Sequence, residues 1–226
     1  MLKLQTQAHW LARGVGTATI TPILLLMLVA FTLQGVDQTA QRSTSYSLWV
    51  TLLALIAVAA GCGALSWVRP QRAGLSPPHV MLSLGFGGML LGLAYDLIQA
   101  GPAQLESLCT QSANLDMMQS FQLHLTYLPG MHTGMLIGGL LAIPSLRALR
   151  ANCGVYLCSL FAQNLMCSAW MLLGMTLGAV WLVRLQAESG VSSLPGMLGG
   201  MFVGMTWGMV ISVALYRSYF ALRNRN

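Results

Sequence analysis

The sequence predicts an all-α, polytopic membrane bundle of six transmembrane helices with both termini on the cytoplasmic side. Three observations predict it. Of 226 residues, 56% are hydrophobic and only 7% charged, with a mean hydropathy of +0.68. A soluble domain carries about 25% charged residues, and a surface this poor in charge suits lipid, where helices satisfy their backbone internally. Six apolar segments reach the roughly 20 residues that a helix needs to cross the hydrocarbon core. Finally, the basic residues concentrate in alternate connections, which is the pattern that sets orientation.

The six spans follow in order: about Thr17–Gln34, Leu48–Val68, His79–Gln99, Leu123–Ile143, Cys153–Val183 and Leu194–Tyr216. The fifth exceeds what a crossing needs and is expected to tilt or project. Together they form one integral membrane domain over residues 1–226. Lys3 and Arg13 precede the first span, Arg69 and Arg72 separate the second from the third, and Arg147 and Arg150 separate the fourth from the fifth. Arg217, Arg223 and Arg225 follow the sixth. The opposite connections are poorer in basic residues: Asp37 with Arg42, Arg184 with Glu188, and the stretch Gly101–Gln122, which holds Glu106 and Asp116 and no Lys or Arg. Gly101–Gln122 is the longest outside loop and is expected to cap the bundle or to move.

The net charge of +6 sits at helix ends and in short connections. There is no dense basic run interleaved with aromatics, so a nucleic-acid partner is excluded. The segment after Met1–Arg13 lacks a small-x-small cleavage site, since Leu33-Gln34-Gly35 is a poor one, and is read as a retained first helix. The implied location is a bacterial-type inner (plasma) membrane. The expected partners are the lipid bilayer and a membrane protein or a second copy of this chain. Five cysteines, Cys62, Cys109, Cys153, Cys158 and Cys167, form no C-x-x-C and cannot all pair internally.

The most distinctive pattern is a Gly-Met unit repeated every four residues: Gly196-Met197, Gly200-Met201, Gly204-Met205 and Gly208-Met209 in the sixth span. The fourth carries Gly130-Met131, Gly134-Met135 and Gly138, the third Gly88-Met89 and Gly92, and the fifth Gly174-Met175 and Gly178. Proline precedes the runs at Pro129 and Pro195. A spacing of four keeps residues near one helix face. Glycines at that spacing let backbones approach, and methionine fills irregular gaps, so tight packing is the plainer reading. The chemical reading is that thioethers are soft ligands suited to Cu(I), with imidazole as a further ligand type.

The topology collects such groups at one depth. His124, Met131, His132 and Met135 fall in the outer half of the fourth span, Met197 and Met201 in that of the sixth, and Met171 and Met175 in that of the fifth. Asp96 lies at the outer end of the third, and Met117 and Met118 in the adjoining loop. His132 is an intramembrane imidazole and so a functional candidate, or else a neutral ring bonded to a helix carbonyl, Tyr95 or Tyr127. Asp96, the only acid within a span, is set to bind a cation, relay protons, pair with a histidine or be solvated at the interface. His79, after Pro77 and Pro78, marks a helix start. Gln163 and Asn164 are expected to hydrogen-bond between helices, and Trp49, Trp67, Trp181 and Tyr216 to anchor at interfaces. On one continuous helix, His124 and His132 stand about 12 Å apart along the axis, which argues against a shared haem.

Met131-His132-Thr133-Gly134-Met135 resembles the Met-His-Tyr-Thr-Gly-Met signature of MHYT-type membrane sensor domains. That resemblance implies a multi-helix domain with a metal near its outer face. It covers this stretch alone and lacks the tyrosine. The Met-xxx-Met beside Gly-xxx-Gly also resembles small copper transporters, which have fewer helices.

No nucleophile elbow, P-loop or dinucleotide fingerprint is present, and carboxylates are few, so no enzymatic activity is expected. The favoured expectation is binding or transport of a soft metal ion, Cu(I), through Met131, His132, Met135, His124, Met197, Met201 and Asp96, with Met205 and Met209 carrying it inward. Two alternatives stand beside it. One is a non-catalytic structural or assembly subunit of a larger membrane complex. The other is a proton-coupled small-molecule transporter using Asp96, although the Pro129 and Pro195 segments enter from the same side and form no inverted pair.

Overall fold

A computed structural model describes residues 22–30, 32–33, 44–68, 77–101, 107–108, 111, 115–149, 157–187 and 194–223. Among these, all regular structure is helical. Residues 22–30 and 32–33 are helical, and their Leu25, Val29 and Leu33 are buried at a four-residue period. After it come α1 (Thr44–Val68), α2 (Pro77–Ala100), the short α3 (Met117–Tyr127), α4 (Pro129–Leu149), α5 (Leu157–Ala187) and α6 (Leu194–Arg223). Among the described residues, four helices are long and apolar enough to cross a membrane, over Trp49–Trp67, Pro78–Ala100, Asn164–Leu185 and Gly196–Tyr219. Their outer faces are apolar: Trp67, Leu91, Ile98 and Trp181 are all exposed, as lipid-facing side chains would be. Cys109, Cys153, Glu106, Glu188, Asp37, Arg42 and the basic residues Lys3, Arg13, Arg69, Arg72, Arg150 and Arg225 lie outside the described residues.

The expected fourth span, Leu123–Ile143, is not one helix. α3 begins earlier, at Met117, inside what reads as loop. Asp116 caps it: its side chain accepts the Gln119 N–H at 2.7 Å, and the Gln119 side chain accepts the Asp116 N–H at 3.3 Å. This capping box satisfies two donors that a helix start leaves free. The chain then bends at Leu128, whose φ of −125° and ψ of 50° leave the helical region. Pro129 causes the bend, because proline lacks an N–H and pushes the preceding residue out of the α region. Gly101 ends α2 at φ +83°, donating its N–H to the Leu97 carbonyl at 2.9 Å, as glycine does after many helices.

Two antiparallel helix pairs form the body of the bundle, and both use the glycines in the same register. In the first, Gly88 and Gly92 of α2 face Gly134 and Gly130 of α4, and Gly138 faces the Leu84 carbonyl. In the second, Gly174 and Gly178 of α5 face Gly204 and Gly200 of α6, and Gly208 faces the Trp170 carbonyl. At each position a β-carbon would collide with backbone of the opposite helix, so only glycine permits this approach. The equivalences run Gly88 to Gly174, Gly92 to Gly178, Gly130 to Gly200 and Gly134 to Gly204. Pro129 therefore corresponds to Gly199, one turn away from the match with Pro195 that the proline positions alone suggest.

The pairs meet face to face. Phe86 of α2 and Phe202 of α6 pack edge to face with centroids 4.7 Å apart. Asn164 of α5 donates to the Gly139 carbonyl of α4 at 3.0 Å and accepts from Ser168 at 3.3 Å. α1 lies along α6 in parallel, with Ala54 near Gly199 and Gly61 near Thr206, and Trp207 Nε1 donates to the Ala57 carbonyl at 3.2 Å. Between the pairs the core is filled with methionine: Met89, Met131, Met135, Met171, Met175, Met197, Met201, Met205 and Met209 are all buried.

Candidate functional site

The site begins with the bend at Leu128. A helix start leaves its first N–H groups without intrahelical acceptors, and here those groups sit inside the bundle. Asp96, near the end of α2, supplies the acceptors. One carboxylate oxygen accepts the Gly130 N–H at 3.0 Å and the other the Met131 N–H at 2.8 Å. Its negative charge also meets the positive end of the α4 dipole. Gly130 is needed for this approach, since a β-carbon there would press on the Asp96 carboxylate and the Gly92 carbonyl. Asp96 is 5% exposed, so it is neither solvated nor free at an interface. Its bonds to α4 account for its position without a bound cation.

His132 lies one turn into α4 and is 3% exposed. Its Nδ1 is 2.9 Å from the Leu128 carbonyl oxygen. A carbonyl only accepts, so Nδ1 carries the proton in the neutral ring and Nε2 presents a lone pair. That Nε2 is buried with no hydrogen-bond partner. Of the partners expected for His132, the helix carbonyl is realised, while Tyr95 and Tyr127 are exposed. The Phe121 ring of α3 stands edge-on to the imidazole at a centroid distance of 6.5 Å.

His124, on α3, is 1% exposed, and neither ring nitrogen has a partner. Buried polar atoms are almost always bonded, and leaving one unpaired costs about 1–3 kcal/mol. The bend at Leu128 places the two histidines on different helices, so the spacing expected along a single straight axis does not apply. Three buried ring nitrogens thus lack partners at this end of the bundle.

The remaining expected residues divide between this end and the core. Met131 is buried, and its N–H is held by Asp96. Met201 is its counterpart in the second pair, and Met197 lies one turn earlier; both are fully buried. Met135 lies deeper, where it converges with Met171 and Met205 beside Gly85. Met118 is exposed on α3. His79 does mark the start of α2. It is buried near the Cys62 main chain, at the opposite end of that helix from Asp96. Cys62 and Cys167 are both buried, and the Cys167 sulfur accepts from the Ser212 hydroxyl at 3.3 Å.

Among the described residues no group of three or more His, Cys, Asp or Glu side chains converges as a metal site. The convergence of Met171 and Met205 on Met135 was legible in one way only, by aligning the Gly-Met-x-x-Gly units of α2 with α5 and of α4 with α6. Comparison with family models, with curated protein sequences and with solved structures returns no match. The resemblance at Met131–Met135 therefore rests on those five residues.

Proposed function

We propose that this chain binds a soft metal ion, Cu(I), within a six-span bundle whose termini face the cytoplasm, and that His132 and His124 receive it. The observation that carries this reading is the His132 ring: Nδ1 bonds a main-chain carbonyl while the bare Nε2 is buried, and His124, eight residues earlier, is buried with both ring nitrogens unpartnered. Metal-ligating histidines are typically oriented in this way, with the second nitrogen donating to a carbonyl or carboxylate. Met131, on the same turn of α4, is a soft third donor. The parallel course of α1 and α6, and the antiparallel course within each glycine pair, agree with alternating spans. The basic residues at Arg147 and Arg217 agree with the cytoplasmic placement of those ends. Asp96 holds the bend that presents the histidines, which makes it a positioning residue. Transport follows from binding if the ion passes to the methionines below.

The test is metal content. Protein purified in detergent under reducing conditions and loaded with Cu(I) is expected to hold the ion through nitrogen ligands. His124→Ala with His132→Ala is expected to remove that ion. Equal copper content in both proteins, with no nitrogen in the coordination shell of either, overturns the reading.

A second reading, as an assembly subunit, draws on one observation. A groove of about 540 Å³ runs along the α2–α4 glycine seam, lined by Ser83, Gly87, Leu91, Tyr95, Thr133 and Ile137. It is apolar and suits an acyl chain or a partner helix. Proton coupling through Asp96 fits less well, since protonation would weaken the carboxylate's hold on α4.

A further inference from the structure

Gly85 lies on α2 next to Phe86 and one turn before Met89. A β-carbon built there would be 2.8 Å from the Met171 terminal methyl, 3.7 Å from that of Met205 and 4.0 Å from the Met135 Cγ. Three methionines from three helices thus converge on Gly85, which has no side chain to keep them apart. All three are at most 1% exposed.

The two glycine pairs explain why. Met135 follows Gly134 and Met205 follows Gly204, so they are equivalent residues of the two pairs. Packing those pairs against each other brings the two side chains together. Met171 breaks the equivalence. It stands opposite Gly208 as Gly85 stands opposite Gly138, so the place that holds a methionine in one pair holds glycine in the other. The missing side chain at Gly85 leaves the space that the Met171 methyl enters.

We propose that Met135, Met171 and Met205 form an all-thioether site for a soft monovalent ion, Cu(I) or Ag(I), at the depth of Gly85. The site extends the metal reading above, and it makes this core position the next station for an ion received by the histidines. Thioether sulfur is neutral and polarizable, so three such ligands favour a soft monovalent ion over Zn²⁺ or Mg²⁺. Gly85 packs against Gly138, six residues beyond His132 and about 9 Å further along α4, so this site lies deeper than the histidines. Methionine flexibility lets the three side chains reorient around an ion without moving backbone.

The experiment uses the full chain in detergent under reducing conditions, with Ag(I) as the redox-inert probe. Bound silver is counted after desalting, and its ligands are identified by X-ray absorption. Wild type is expected to hold two ions. His124→Ala/His132→Ala should keep one with a sulfur-only shell. Met171→Leu/Met205→Leu, which nearly conserves volume, should keep one with nitrogen in its shell. Gly85→Ala should weaken the sulfur-only ion by about tenfold or more and leave the other unchanged, which tests the site even if the double methionine variant fails to fold. A single nitrogen-ligated ion in wild type, insensitive to both methionine and Gly85 changes, overturns the thioether site and leaves the histidine reading standing. A single sulfur-only ion in wild type, insensitive to the histidine changes, supports the thioether site and removes the histidine reading. No silver in any of these proteins overturns both.

Discussion

The Asp96 carboxylate of α2 accepts the main-chain N–H of Met131 in α4 at 2.8 Å, across 35 residues of sequence. With the companion bond from Gly130, it joins the end of one helix to the start of the next in the first glycine pair. It also stabilises the bend at Leu128 that separates His124 from His132.

Removing that carboxylate leaves one buried and one part-buried N–H group without acceptors. At about 1–3 kcal/mol for each unsatisfied group, Asp96→Ala should destabilise the bundle by several kcal/mol, measured as a fall in Tm in detergent. Asp96→Asn keeps an acceptor oxygen and should fall by less than half as much. If Asp96→Asn and Asp96→Ala match wild type in Tm, the helix-end role is wrong.

The glycine seams make a paired prediction. Gly134→Ala and Gly204→Ala each push a methyl into an opposing carbonyl, at Gly88 and Gly174 respectively. Each should cost at least the roughly 1–3 kcal/mol of an overpacked core, and the two should lose similar amounts because their surroundings are equivalent. Gly87→Ala and Gly63→Ala meet nothing within 4 Å, so their melting temperatures should stay at or above wild type, given alanine's better helix propensity. Thermal melts of the four variants side by side check the ordering.

Phe86 and Phe202 link the two pairs across the core. An edge-to-face pair contributes about 0.5–1.5 kcal/mol beyond its buried area. A double-mutant cycle with Phe86→Leu and Phe202→Leu should return a coupling energy in that range. Additive effects of the two changes would mean that the rings contribute area alone.

Asn164 makes a polar contact between α4 and α5. Its Nδ2 donates to the Gly139 carbonyl, and bonds of this kind between membrane helices average about 0.6 kcal/mol. Asn164→Leu should therefore lower Tm only slightly, with the change in size adding to the loss. Asn164→Asp, which replaces the donor with an acceptor facing a carbonyl, should be far more damaging. Equal melting temperatures for the two variants would show that the bond is not made.

The helices were legible because their signals are local. Runs of apolar residues of the right length predict Leu48–Val68, His79–Gln99 and Leu194–Tyr216, and the structure places helices at Thr44–Val68, Pro77–Ala100 and Leu194–Arg223. The fourth segment shows where hydropathy fails. Pro129 sits among residues apolar enough to continue a span, and hydropathy registers its oil-like ring but not its missing N–H. The bend at Leu128 and the early start at Met117 follow from hydrogen-bonding capacity, through Pro129 and the Asp116–Gln119 capping box. Of the candidate site, Asp96, Met131 and His132 do come together, because a helix end and its acceptor attract regardless of the connection between them. The association of Met135 with Met171 and Met205 depends on the register between two helix pairs, which no single segment encodes.

By itself, then, the sequence determined the helical class, the approximate extent of the helices and the glycine faces along which they approach, since each follows from composition and spacing within one segment. Only the tertiary structure decided which glycine faces which carbonyl, that Asp96 is spent on the start of α4, that His124 and His132 sit on different helices with bare ring nitrogens, and that Met171 fills the space left by Gly85. Those outcomes depend on contacts between residues far apart in the chain, whose geometry is set by steric fit and by pairing every buried N–H across the whole bundle.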